Sequence, residues 1–132
     1  MKLKKQTLVI CMLATILFFF GCKNVSKEYD VSVIELHELL QNEDVIVLDV
    51  RTPKEVAEGK IKSTALEADF FTENSLEAII SNISKDQDIY VYCKSGRRSG
   101  KTVAKLRALG FTKAHNIKGG ITAWKAEGYE IE

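Results

Sequence analysis

From Tyr29 to the carboxyl terminus, short β-prone runs alternate with longer stretches in which apolar residues recur every three or four positions. Tyr29 to Val31 predicts a short first strand. Ser32 followed by Glu35 has the form of a capping box, and it opens a helix carrying Val33, Leu36, Leu39 and Leu40 along one face. Val45-Ile46-Val47-Leu48 is an unbroken apolar run, the mark of a strand buried on both faces of a parallel sheet. Thr52 as cap, Pro53 at the first helical position and Glu55 start a helix that stops near Gly59. Lys60 to Phe71 is patterned more weakly. It predicts a short strand near Thr64 to Leu66 and a loop that carries Asp69, Phe70 and Phe71 close to the site. Asn74 or Ser75 then caps a helix with Leu76, Ile79 and Ile80 inward. Asp88 to Tyr92 is a strand, and Ser99 to Leu109 a helix with Val103, Leu106 and Leu109 on its core face, closed by Gly110. Ala114 to Ile117 makes a last strand, Gly119-Gly120 a turn, and Ile121 to Glu127 a final helix with Trp124 packed inward.

This alternation, free of repeats and low-complexity tracts, predicts one small α/β domain: a mostly parallel sheet of about five strands with helices on both faces. The 132 residues, 45% hydrophobic and 28% charged, fit a single globular domain. The formal charge of +1 changes the picture only through its distribution. Lys2, Lys4 and Lys5 precede an uncharged run from Gln6 to Cys22, and without them the chain is net acidic. That balance argues against nucleic acid as a partner.

The amino terminus has the layout of a secretory signal: a basic start, an apolar core from Leu8 to Phe20 that is short for a membrane span, then Gly21 and Cys22. Phe19-Phe20-Gly21-Cys22 resembles the end of a bacterial lipoprotein signal, in which cleavage precedes a cysteine that becomes lipidated; Phe19 stands where leucine is usual. Residues 1–21 are therefore expected to be a signal peptide, 22–28 a tether and 29–132 the folded domain. The domain would be exported to the periplasm or cell surface and held at the membrane through lipid on Cys22. The competing expectation is an uncleaved anchor helix between Lys5 and Lys23, which also places the domain outside the cytoplasm.

With Cys11 in the signal and Cys22 lipidated, the domain keeps only Cys93 as a free thiol, a residue to be read as reactive or intermolecular. Cys93 follows a strand directly and is succeeded by Lys94-Ser95-Gly96-Arg97-Arg98-Ser99, a short loop that leads into a helix. Loop N–H groups and a helix amino end both favour thiolate over thiol, and Lys94, Arg97 and Arg98 add positive charge. Asp49 and Arg51 lie at another strand's carboxyl end, where open α/β sheets place their sites. They are expected to support the site, although a structural ion pair accounts for them equally well. His37 has no second ligand at helical spacing and His115 no evident partner, so neither a metal nor a cofactor is expected.

Three separated blocks now give the chain a likeness. They are Leu48-Asp49-Val50-Arg51 with Glu55 and Gly59-Lys60-Ile61; the loop Cys93 to Ser99; and Ile117-Lys118-Gly119-Gly120-Ile121 with Trp124 and Gly128-Tyr129. In their order and spacing, the segment from about Tyr29 to Ile131 resembles a single rhodanese domain. The resemblance implies sulfurtransferase activity on thiosulfate or a related donor, with Cys93 as sulfur carrier. Lys60 stands where many members have histidine, and Lys62 to Ala68 departs from the usual segment, which bears on acceptor specificity.

The residues suit that chemistry. A Cys93 thiolate would attack the outer sulfur of thiosulfate, expel sulfite and keep a persulfide, which a thiol or cyanide then discharges. The N–H groups of Lys94, Ser95, Gly96, Arg97 and Arg98 would hold the sulfur's charge. Lys94 and Arg97 would attract the donor's sulfonate, Ser99 would complete the substrate-binding loop, and Arg98 would either bind substrate or brace the loop. Two alternatives stand beside this reading. A cysteine phosphatase or arsenate reductase needs Cys-x5-Arg to encircle a tetrahedral oxyanion, whereas Cys93 to Arg98 is Cys-x4-Arg and Ser99 occupies the next position. A non-enzymatic persulfide carrier or redox-sensing module would have the same cysteine. A monomer or weak dimer is expected.

Overall fold

The computed structural model describes residues 28–132, so the expected signal peptide, the lipidation of Cys22 and all but the last residue of the expected tether lie outside the described residues. Five strands form one sheet: β1 (Asp30–Val31), β2 (Ile46–Asp49), β3 (Leu66–Glu67), β4 (Ile89–Tyr92) and β5 (Ala114–Ile117), in the spatial order β1-β5-β4-β2-β3. Every pairing is parallel. The sheet is thus wholly rather than mostly parallel, as short strands joined by helical crossovers require.

The helices are α1 (Val33–Asn42), α2 (Pro53–Val56), α3 (Ser75–Ile80), α4 (Arg97–Ala108) and α5 (Gly120–Ala126). Two apolar clusters show how they cover the sheet. Val33 and Leu36 of α1 pack with Ile121 and Trp124 of α5 against Val47, Tyr90, Tyr92 and Ile117. Ile80 of α3 packs with Val103 and Leu106 of α4 against Leu48, Ile89, Val91 and Ala114. Alternate residues of β4 therefore face opposite layers, and all four are buried. The expected α/β class with helices on both faces is the observed one.

Element boundaries moved where the backbone had another use for a residue. The helix after β2 ends at Val56, and a turn carries the chain to Gly59 at φ 118°. The helix after β4 begins at Arg97 rather than Ser99, because Gly96 takes φ 94° and its carbonyl already accepts from Gly100 N–H. Asn74 precedes α3 in the left-handed conformation and makes no side-chain cap. His115 does have a partner: its ring lies 2.9 Å from the Asp88 carboxylate and stacks on Tyr90. His37 stacks face to face on Tyr129 at 3.9 Å between ring centroids.

Two clasps hold the carboxyl ends of β2 and β4 together. In the register Asp49 lies opposite Tyr92, and Val50 N–H donates to the Tyr92 carbonyl at 3.0 Å. The next residue along β4's path is Cys93, so the fold delivers it to the centre of the sheet's carboxyl edge, between the loops after β2 and β5.

Candidate active site

Cys93 is fully buried and packs among Val50, Ala68 and Val91. Its sulfur accepts from Gly96 N–H at 3.1 Å and from the Ser99 hydroxyl at 3.3 Å. Burial pushes the thiol's pKa up, but the Ser99 hydroxyl and the backbone N–H groups of Ser99, Ser95 and Gly96 outweigh it and leave the pKa below that of an ordinary thiol. These are the orphan donors of a helix amino end. Gly96 at the N-cap position has no side chain to satisfy them, and the sulfur of Cys93 does so instead.

What turns those N–H groups inward is the opposite orientation of the preceding carbonyls. The Cys93 carbonyl accepts from Ile121 N–H at 3.0 Å and the Lys94 carbonyl from Thr122 N–H at 3.1 Å, both in the first turn of α5. Such an approach requires glycine at 120. A Cβ on Gly120 would stand 2.6 Å from the Lys94 carbonyl oxygen and closer still to that of Cys93, and its φ of 58° is itself left-handed. Gly119-Gly120 is therefore part of the site's scaffold as well as the turn that the sequence predicts.

The remaining loop residues divide by environment. Lys94, Ser95 and Arg97 are exposed at the rim. Arg98 turns away from the rim to Glu55, its two terminal nitrogens each 2.8 Å from a different carboxylate oxygen. The expectation left Arg98 between substrate binding and bracing, and this bidentate pair gives it the bracing geometry. Its hydrogen bonds with Arg98 pull the Glu55 carboxyl down to about 2, with help from the Thr52 N–H and hydroxyl that it also accepts. In the sequence Glu55 stands as a capping residue and in one block of the family resemblance; nothing in the local pattern announces that its carboxylate reaches across to the cysteine loop.

Behind Glu55 lies a buried knot. Asp49 and Arg51 are 0% and 4% exposed, and the Arg51 Nη2 to Asp49 Oδ2 distance is 2.7 Å. Arg51 also donates to the carbonyls of Glu55 at 3.1 Å and Gly59 at 2.7 Å. The Tyr92 hydroxyl donates to Asp49 at 2.6 Å and accepts from Ile61 N–H at 3.2 Å. Burial beside the Asp49 charge pushes the Tyr92 phenol well above its usual range, which keeps it a donor. Asp49 and Arg51 thus form the structural ion pair that the sequence allowed. It places α2 so that Glu55 can hold Arg98, and so supports the cysteine loop from a distance.

Chemically, the arrangement favours the thiolate of Cys93 under a rim of exposed cations, with no imidazole or carboxylate within hydrogen-bond reach of Cys93 among the described residues. Comparison with known proteins agrees with that geometry. The model of the rhodanese-like domain family matches residues 32–127. A sulfurtransferase of Allochromatium vinosum is 39% identical over 93 residues, covering 70% of this chain and 83% of its own. A thiosulfate sulfurtransferase of Pseudoalteromonas translucida is 32% identical over 96 residues, covering 73% of this chain and 88% of its own. Among solved structures, a rhodanese-like domain protein from Staphylococcus aureus superposes with a TM-score of 0.67 at 33% identity, over 78% of this chain and 97% of that one.

Proposed function

The chain belongs to the rhodanese-like domain family, and from that premise we propose that it is a sulfurtransferase moving a sulfane sulfur from thiosulfate or a similar anionic donor to a thiophilic acceptor through a persulfide on Cys93. The observation that carries this reading is the set of donors converging on the Cys93 sulfur. They favour the thiolate, the form of the sulfur that attacks. The thiolate attacks the outer sulfur of thiosulfate, the S–S bond of the donor breaks, and sulfite departs with its electron pair. The new terminal sulfur carries the negative charge, and the same N–H groups that held the thiolate are placed to hold it. Lys94 and Arg97, exposed at the rim, attract the donor's sulfonate. A thiol or cyanide then removes the outer sulfur and restores the thiolate.

Loop size and the engagement of Arg98 weigh against a phosphatase. A phosphoryl cradle needs an arginine over the anion, and here Arg98 is paired with Glu55 while Ser99 holds the Cys-x5-Arg position. Export and anchoring through lipid on Cys22 are part of the proposal and rest on the amino-terminal sequence alone. Loss of radiolabelled palmitate in Cys22→Ala supports them, whereas a mature protein that retains residues 1–21 removes them.

The decisive measurement is the mass of the full-length protein after exposure to thiosulfate. A gain of one sulfur, about 32 Da, on the Cys93 peptide and its absence in Cys93→Ser are expected of this covalent chemistry. A wild-type protein that gains no sulfur would refute it. A thiosulfate-to-cyanide assay then separates an enzyme from a carrier: persulfide formation without turnover would leave only the carrier.

A further inference from the structure

Beside the cysteine loop, a cleft of about 450 Å3 runs between the 69–74 loop and α4. Val50, Ala68, Phe70, Phe71 and Leu76 supply its apolar wall. Val50 and Ala68 belong to the same buried cluster as Cys93, and the Phe71 ring meets Arg98 of the cysteine loop, so the cleft adjoins that loop. Phe71 is 70% exposed, a costly placement for so large an apolar ring. Its loop is nonetheless fixed. Asp69 accepts from Phe71 N–H at 3.0 Å and from the Thr72 hydroxyl at 2.8 Å, and Phe70 N–H donates to the Val50 carbonyl. The ring is held further by Phe70, edge to face at 5.3 Å, and by the Arg98 guanidinium 5.7 Å from its centroid. A preformed aromatic wall thus stands next to the reactive loop with much of its surface uncovered.

The charges of the cleft do not call for an anion. Asp69 is used by its turn, Glu77 pairs with Lys105, and Glu73 and Lys101 remain with opposite signs. This differs from the cationic rim at Lys94 and Arg97. The two surfaces suit two chemically different reactants.

We propose that this cleft receives the second substrate, an uncharged organic thiol with an apolar body, whose carbon frame packs on Phe71 while its sulfur reaches the Cys93 persulfide. The inference rests on the sulfur-transfer reading above and deepens it by naming the acceptor class. In the step it describes, the acceptor thiol loses its proton to water, and the thiolate attacks the outer sulfur of Cys93–S–SH. The S–S bond to Cys93 breaks, the Cys93 thiolate leaves with the electron pair, and an organic persulfide R–S–SH departs. A volume of this size holds a small organic molecule.

The test uses full-length protein loaded with sulfur from thiosulfate and discharged by phenylmethanethiol, 2-mercaptoethanol or cyanide, in wild type, Phe71→Ala and Phe71→Leu. In parallel, calorimetry measures the binding of benzyl methyl sulfide, which cannot accept sulfur. Phenylmethanethiol is expected to show a KM about tenfold below that of 2-mercaptoethanol in the wild type, as partial burial of a ring on Phe71 implies. The ratio of its discharge to that by cyanide should fall about tenfold in Phe71→Ala and recover in part in Phe71→Leu. Equal KM values for the two thiols, or a ratio unmoved by Phe71→Ala, would overturn the proposal. If thiosulfate loads Cys93 but benzyl methyl sulfide does not bind, the acceptor cleft falls and sulfur transfer stands. If the sulfide binds through Phe71 but Cys93 never gains sulfur, sulfur transfer falls and the cleft remains a ligand site.

Discussion

Replacing Ser99 with alanine removes one donor from the Cys93 sulfur and changes little else. The hydroxyl is fully buried and lies 3.3 Å from Sγ, and alanine fits in the space it leaves. The hydroxyl is also the strongest of the groups that lower the Cys93 pKa against burial. A hydrogen bond to an ionised acceptor contributes roughly 1.5–3 kcal/mol, and a long bond to diffuse sulfur belongs at or below the low end. At 1.36 kcal/mol per unit, its loss raises the Cys93 midpoint by about one pH unit. The remaining N–H groups of Gly96, Ser95 and Ser99 keep the rise from being larger.

The assay is alkylation of Cys93 by iodoacetamide across pH, followed on the Cys93 peptide by mass spectrometry so that Cys11 and Cys22 do not enter. Below the midpoint the thiolate fraction of Ser99→Ala should drop about tenfold, but a more basic thiolate is also a better nucleophile. With a Brønsted slope of about 0.4–0.5, the net slowing is about threefold at low pH, with a crossover to faster alkylation above the new midpoint. A midpoint that stays put or falls would refute the account in which donors to sulfur, rather than nearby cations, hold the thiolate.

The pair of Glu55 and Arg98 makes a stability prediction with a definite sign. The Glu55 carboxyl sits at about 2 against an ordinary 4.5 and is 27% exposed, so its contribution is discounted to about 1–2 kcal/mol. That contribution is complete above pH 4.5 and lost as pH falls towards 2. Urea unfolding should therefore show wild type and Glu55→Gln differing most above pH 4.5 and converging near pH 2. Asp49→Asn leaves buried Arg51 without its carboxylate and should cost about 3–5 kcal/mol, read as a lowered Tm. An effect below about 1 kcal/mol would mean that the knot is not the brace described. Gly120→Ala should cost at least about 2 kcal/mol and slow sulfur loading of Cys93, because the new Cβ meets the two carbonyls whose orientation aims the loop. Wild-type loading kinetics in that variant would detach α5 from the site.

How much of this was legible in the chain follows from the range of each interaction. The α/β class, β4 and the loop with its cysteine were read from contiguous residues, because strand burial and helix capping act over a few positions. Thr52 and Glu55 read as a capping box for the same reason, and both reciprocal bonds are present. Contacts across the sheet were not legible. The reach of Glu55 to Arg98 spans 43 residues, and that of Tyr92 to Asp49 the same. They exist only because the register sets the carboxyl ends of β2 and β4 side by side.

The same limit explains why the loop's cations were misleading as a group. The sequence counts Lys94, Arg97 and Arg98 together as positive charge near Cys93 and leaves Arg98 open between substrate binding and bracing. In the fold they separate. Two are exposed at the rim, while the third is bound to the Glu55 carboxylate beside the Cys93 thiol. The groups that lower the Cys93 pKa are the Ser99 hydroxyl and oriented N–H groups, and the latter have no signature in residue charge. Their direction is set by two carbonyls held from α5 and by glycines at 96 and 120. A loop built this way keeps its anion-stabilising power when a rim lysine is replaced but loses it when a glycine is, the reverse of what a count of charges would suggest.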